Sequence, residues 1–377
     1  MNNVRRIPVA QPFLGPEEVA SVAKAMTDGA ISGFFGEFIG LFENEFARYS
    51  DCAQGVAVNS GTTALHLALV TLGIKPGDEV LVSTLTNMAT IFAILYIGAC
   101  PVPIDIEADT LNLNPDLLDR CVTPKTRGIL VVHLFGHPVD MDRVNEVARA
   151  HNLIVIEDCA EAHGALYRGR KVGSLSNAGC FSFYANKIIT TGEGGMVTFN
   201  DPGAALRARN LKGLAFGDDN KFMHQDIGYN YRMTNIQAAI GHAQLAKIEP
   251  IIARKRTIAE LYSKHLEEVA DIQIPVEKPY ARNVFWMYHI VLRGRHARRR
   301  REVMDRLAEC GVETRETFIP CNLQRIFIDQ GWTRADSCPL ANEVAYAGFY
   351  MPSGCATSDE DLVFAAEQLI HILESPR

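Results

Sequence analysis

Apolar residues in the first two thirds of this chain fall into two alternating patterns. Short runs rich in β-branched residues at Gln54–Val58, Glu79–Ser83, 102–105, 128–133 and 153–157 predict buried strands. Between them, 62–72, Met88–Tyr96 and 139–151 carry apolar residues at helical spacing, and a further helix is expected near Leu117. Gly73 and Gly98 stand where two of these helices should stop. Strands separated by helices predict an α/β fold: a mostly parallel sheet with helices on both faces. From about Pro250 the pattern changes. A long charged helix over 253–270, a strand segment over 286–292 and further helices predict a smaller α+β unit. The expected division is a large domain at 1–249 and a small C-terminal domain at 250–377, with no internal repeat.

Composition narrows the classes of function. The 377 residues include 37 Lys and Arg against 44 Asp and Glu, a formal charge of −7. A mildly acidic chain is poorly suited to gripping nucleic-acid phosphates. The first eleven residues hold no apolar run of signal-peptide length, and no stretch approaches the roughly 18 apolar residues that span a bilayer. The nine cysteines form no C-x-x-C pair, and Cys100, Cys159 and Cys180 sit in apolar segments. The expectation is a soluble, disulfide-free cytoplasmic protein. His133 and His137, four apart, lie in a strand-then-turn context that favours packing over metal ligation, so no metal is expected. The basic run 293–301 reads as a solvated loop and helix start, with an anion-attracting rim as the alternative.

Three segments have compositions that a core does not need. Asn59-Ser60-Gly61-Thr62-Thr63 lies between a strand and a helix, where small residues and hydroxyls expose backbone N–H groups at a helix N-terminus. That makes either a phosphate cradle or an ordinary N-cap. In 154–163, IVIEDCAEAH, two carboxylates stand at the carboxyl end of an apolar strand, where ligands of open α/β sheets collect. Strand alternation sends Glu157 and Asp158 to opposite faces. A carboxylate there either pairs with a cationic ligand group or caps the next helix. The third segment, 181–197, places Lys187 among Ser182, Tyr184, Asn186 and the glycines 192, 194 and 195. A partly desolvated lysine is nucleophilic toward an aldehyde; the alternative is a surface lysine in a loop. Taken together, a phosphate cradle, a carboxylate and a lysine are the parts that pyridoxal 5'-phosphate requires.

The segments SGTTALHLAL, VIEDCAEAHGA, FSFYANKIITTGEGGMV and GYNYRMTNIQAAIGHAQL closely resemble the DegT/DnrJ/EryC1/StrS sugar aminotransferases, which have the aspartate aminotransferase fold. The resemblance runs nearly end to end. HLFGHPVDMD, NYRMTNIQAAIG and FWMY are most similar to the members that aminate a 4-keto-6-deoxy sugar carried on GDP. It implies pyridoxal 5'-phosphate carried by Lys187, with pyridoxamine 5'-phosphate as the second form, and transfer of an amino group from L-glutamate to a keto sugar for amino-sugar products such as those of O-antigen. It further implies that Asp158 pairs with the ring nitrogen and that Glu161 lies near the ring and its phenolic oxygen. Ser60, Gly61, Thr62 and Ser182 would hold the phosphate, Asn87 would stand at the face of the ring, and Asn230 would reach the phosphate of the neighbouring subunit in a homodimer with shared sites. An N-terminal segment packing on the small domain is also implied. Relatives that dehydrate at C3 carry histidine at the Lys187 position; this chain keeps lysine, which favours transamination.

Three departures bear on the substrate. Asn87 stands where such relatives have an aromatic residue, leaving Met88 or another side chain to cover the ring. The loop that carries the expected substrate residues Arg315 and Asn322 reads TRETFIPCN, with Asn322 in place of a histidine and an added Glu316 near the expected substrate. The early segment 28–36 lacks a tryptophan and gains phenylalanines. These changes keep open a smaller keto or aldehyde substrate that is not nucleotide-linked. An inactive regulatory homologue would have lost Lys187 or Asp158. A dinucleotide-binding fold would want G-x-G-x-x-G where this chain has Ser60-Gly61-Thr62.

Overall fold

The computed structural model describes residues 5–217, 220–224 and 226–375. Its centre is a seven-stranded sheet of β1 (Gln54–Val58), β2 (Glu79–Ser83), β3 (Cys100–Ile104), β4 (Thr126–Val132), β5 (Ile154–Asp158), β6 (Ala178–Ser182) and β7 (Gly195–Phe199). The order is β1-β7-β6-β5-β4-β2-β3. Strands β3, β2, β4, β5 and β6 run parallel, and β7 pairs antiparallel with both β6 and β1. Every residue of β6 and β7 is buried, as a sheet covered on both faces requires. Neither strand belongs to the expected set, because Gly179 and Gly195 dilute their β-branched signal. Strand β3 starts two residues before the expected position. It carries Pro101 and Pro103, which an edge strand tolerates.

The helices between strands begin on side-chain caps. Ser60 accepts from the Thr63 N–H at the start of Gly61–Thr71, and Asn87 accepts from the Ala89 N–H at the start of Met88–Tyr96. The long helix spans Ile248–Leu266 and so begins upstream of Pro250, which it takes into its first turn, where an amide hydrogen has no acceptor within the helix. It therefore crosses the expected 249/250 division.

Beyond it lies a four-stranded antiparallel sheet of β8 (Ile272–Gln273), β9 (Tyr288–Leu292), β10 (Arg315–Glu316) and β11 (Gly348–Met351), in the order β8-β9-β11-β10. The N-terminal segment joins this part: Ile7 donates to the Gly311 carbonyl and accepts from the Glu313 N–H, and the Ser353 N–H donates to the Val9 carbonyl. Trp286, expected within a strand, lies before β9. Its N–H goes to the Phe135 carbonyl of the large part at 3.0 Å instead of to a ladder partner. The basic run is more built-in than a solvated loop: Arg299 is buried and pairs with Glu302, while Arg300 pairs with Glu316 and Arg293 with Glu343. Among the described residues, no helix is long and apolar enough to cross a membrane.

Candidate active site

A cleft of about 620 Å³ opens at the carboxyl ends of the parallel strands, where open α/β sheets gather ligands. Chain direction alone brings the site residues there. Ser60, Gly61 and Thr62 follow β1, Asp158 ends β5, and Ser182 ends β6. All of these line the cleft, as do Asn87, Glu161, Lys187 and Arg315. The small part and the N-terminal segment close it with Trp286, Phe318, Tyr350 and Val9.

Gly61 is required by close approach. A Cβ there would stand 2.6 Å from the Ser182 Cβ, so the start of the helix can lie against the end of β6 only without one. The Ser60 hydroxyl occupies the Thr63 N–H. The Gly61 and Thr62 N–H groups have no acceptor within the helix, and Ser182 adds a hydroxyl beside them. An anion fits that group of donors and the positive end of the helix dipole.

Asp158 is 4% exposed. One carboxylate oxygen accepts from the Ala160 N–H at 3.0 Å and the other from the Thr90 hydroxyl at 2.8 Å, with the Thr86 hydroxyl 2.9 Å from that of Thr90. Burial pushes its carboxyl above the usual range in spite of these donors. Among the described residues it has no ion-pair partner, although a buried carboxylate ordinarily needs one. Glu157 faces the other side of the sheet, as alternation predicts. It accepts from the N–H groups of Gly173 and Leu175, the Ser176 hydroxyl and His133, and so anchors a loop.

Lys187 Nζ lies 3.7 Å from Glu161 Oε1 and 4.1 Å from the centre of the Trp286 ring. The other Glu161 oxygen accepts from the Phe135 N–H at 2.9 Å. Phe135 holds that N–H in place with a left-handed backbone, φ 54°, which costs a non-glycine residue energy. Burial raises the Glu161 carboxyl to about 7 against the pull of Lys187 and the Phe135 N–H.

Several sequence expectations meet a different environment. Asn322 does not reach the cleft. It is wholly buried, accepting from the Thr84 hydroxyl at 2.7 Å and donating to Asn342 and the Ala335 carbonyl. Glu316 faces Arg300 and puts no charge on the cleft. Met88 packs on the core and covers nothing in the cleft, and Asn87 owes its place to capping a helix. The 28–36 segment lies against 232–235, with Asn235 donating to the Ala30 carbonyl. Asn230 is exposed, bridges Gly213 and does not line this chain's cleft. Both His133 nitrogens are engaged, by Glu157 and the Val139 N–H, and both His137 nitrogens by Pro138 and the Lys278 N–H. Thr90, the Phe135 N–H and Trp286 escape sequence reasoning, because each acts through a contact between distant segments that no local pattern marks.

Comparison with known proteins agrees with this geometry. The family model described as the DegT/DnrJ/EryC1/StrS aminotransferase family matches residues 12–369. GDP-perosamine synthase of Caulobacter vibrioides is 42% identical over 97% of this chain and 98% of its own. The GDP-perosamine synthase of Escherichia coli O157:H7 is 39% identical over the same shares. Among solved structures, S. venezuelae DesV in complex with a ketimine intermediate superposes with a TM-score of 0.93 at 33% identity, covering 99% of this chain and 100% of that one. The PMP-form of Spr1654 from Streptococcus pneumoniae superposes with a TM-score of 0.92 at 26% identity over 98% of both chains. The chain therefore belongs to the DegT/DnrJ/EryC1/StrS aminotransferase family and is an aminotransferase that uses pyridoxal 5'-phosphate, with pyridoxamine 5'-phosphate as its intermediate form.

Proposed function

We propose that this enzyme transfers an amino group from L-glutamate to a nucleotide-linked 4-keto-6-deoxy sugar, as a GDP-perosamine synthase does, leaving 2-oxoglutarate. The observation that carries the reading is the meeting of Lys187, Asp158 and the Gly61–Ser182 contact in one cleft. The identity to two GDP-perosamine synthases over almost the whole of each chain supports the choice of acceptor.

The residues present fit the cofactor. Among the described residues Asp158 is a buried carboxylate without an ion-pair partner, and a protonated ring nitrogen would supply one. The Gly61 and Thr62 N–H groups and the Ser182 hydroxyl suit a phosphate. Lys187 supplies the amine, and Glu161 stands beside it. When bound, pyridoxal phosphate supplies an electron sink and carries the amino group between donor and acceptor. The chain contributes the rest. With the cofactor bound, Asp158 would hold a proton on the ring nitrogen, Lys187 would accept and return a proton at the reacting carbon, and Glu161 would hold the lysine nitrogen in place. Trp286, Phe318 and Tyr350 wall off water, and Arg315, which lines the cleft and pairs with Glu313, would meet an anionic substrate group.

The same reading makes the enzyme a cytoplasmic homodimer, divided near residue 249 into a large and a small domain, with Asn230 reaching the partner's phosphate site. Asn230 stands clear of its own cleft. In the preceding stretch of chain Phe222, Met223 and Ile227 are exposed, and Phe34, also exposed, lies under the Arg232 guanidinium; exposed apolar side chains of this kind support a contact surface. The deciding experiment is an amination assay with glutamate against nucleotide-linked 4-keto-6-deoxy sugars and small keto compounds. The expected result is turnover of the GDP-linked sugar with production of 2-oxoglutarate. Turnover of small ketones alone would overturn the choice of acceptor and leave the cofactor chemistry intact.

A further inference from the structure

Trp286 belongs to the C-terminal part of the chain, yet its backbone and indole N–H groups both fasten it to the large part. Its backbone N–H donates to the Phe135 carbonyl at 3.0 Å. Its carbonyl accepts from Lys255 Nζ at 3.0 Å, a fully buried lysine that also donates to the Ser353 carbonyl. Its indole N–H donates to the Asn186 carbonyl at 2.7 Å, the peptide group that precedes Lys187. Trp286 is 2% exposed, and the centre of its ring lies 4.1 Å from Lys187 Nζ. A buried lysine is a costly anchor for two carbonyl oxygens, since among the described residues its charge has no carboxylate beside it. Spending it there makes sense if the position of the indole matters.

We propose that Trp286 is a positioning residue for Lys187. The indole N–H fixes the backbone of 185–187, and the ring face receives the lysine ammonium whenever the lysine is free of the cofactor, holding Nζ between the indole and Glu161. An ammonium over an indole face is attracted by the ring quadrupole, and tryptophan is the aromatic residue best suited to this. Lys187 is thereby kept within reach of the cofactor and withheld from solvent, and it does not have to be recruited from a spread of rotamers on each turnover. The inference rests on the reading that Lys187 carries the cofactor.

The sequence contains two tryptophans, Trp286 and Trp332, so Trp332→Phe leaves Trp286 as the sole indole fluorophore. An ammonium against an excited indole quenches it by donating a proton to the ring. In cofactor-free Trp332→Phe protein, adding Lys187→Met is expected to brighten the Trp286 emission; unchanged emission would overturn the contact. This test leaves Trp286 in place and is insensitive to any folding defect caused by replacing it. In the intact enzyme, Trp286→Leu is expected to lower kcat by about tenfold with little change in the KM of the acceptor, and to slow cofactor uptake by the cofactor-free protein similarly. Trp286→Phe, which keeps a ring face and loses the N–H, should recover part of both rates. Wild-type kcat and uptake in Trp286→Leu would overturn the proposal. If Lys187→Ala still showed the cofactor–lysine absorption band, the assignment of Lys187 would itself have failed, a result distinct from either of the others.

Discussion

Two buried acids three residues apart do different work because their neighbours differ. Asp158 is held by Thr90 and Ala160 and has no ion-pair partner among the described residues, while Glu161 faces the ammonium of Lys187 and accepts from the Phe135 N–H. In the cofactor-free protein the Glu161 carboxyl is raised to about 7 from an ordinary value of 4.5, so between those values the native state holds a proton that the unfolded chain has released. The native state is then favoured below about pH 4.5, and that advantage is lost as the pH rises to about 7. Glu161→Gln removes the titration. Cofactor-free Glu161→Gln should be more stable than the parent at pH 8 by about 3 kcal/mol and lose that margin near pH 4.5. Urea unfolding across this range measures it. A margin that does not vary with pH would show that Glu161 does not titrate abnormally.

At the scale of elements, the cradle depends on the contact between the helix Gly61–Thr71 and the end of β6. Gly61→Ala puts a Cβ 2.6 Å from that of Ser182, so the helix start must move. Overpacking of this kind costs about 1–3 kcal/mol. The unfolding midpoint should fall accordingly, and cofactor titration followed by absorbance should show weaker binding. Wild-type affinity would mean that the phosphate is held elsewhere. Gly61 is also a fair measure of what the sequence reveals. Its neighbours Ser60 and Thr63 spell out a helix cap that is legible without coordinates, and the apolar runs at β1 and β2 fall where the pattern puts them. Strands β6 and β7 were hidden by glycines whose purpose is tight packing: a Cβ on Gly179 would stand 2.4 Å from Gly173. Within the site, Asp158 and Lys187 were legible because a carboxylate and an amine stand out against apolar strands. Asn322 was misread because its partner Thr84 lies far along the chain and consumes it internally, and Glu316 because it turns to Arg300 at the surface.

At the scale of the whole molecule, the cleft is closed by segments from both ends of the chain. Val9 and Pro12 enter from the N-terminus, tied through Ile7 to Gly311 and Glu313, and Trp286, Phe318 and Tyr350 enter from beyond residue 280. Asn230 is missing from this enclosure. If it completes the partner's site, Lys187→Ala and Asn230→Asp should each be inactive alone and should regain activity when the two chains are unfolded together and re-associated, because one site of a mixed dimer then holds both native residues. The aspartate is chosen to repel a phosphate. Mixed dimers that form and stay inactive would place the role of Asn230 within its own chain.

The proposed chemistry needs one covalent attachment, and chemical trapping tests it directly. The cofactor-loaded protein is reduced with borohydride, digested, and searched by mass spectrometry for the lysine that bears the reduced pyridoxyl phosphate. The prediction is that the label sits on Lys187, in the peptide that contains Asn186, and that Lys187→Ala binds no cofactor covalently and does not turn over. Label on any other lysine, or full turnover by Lys187→Ala, would contradict the account.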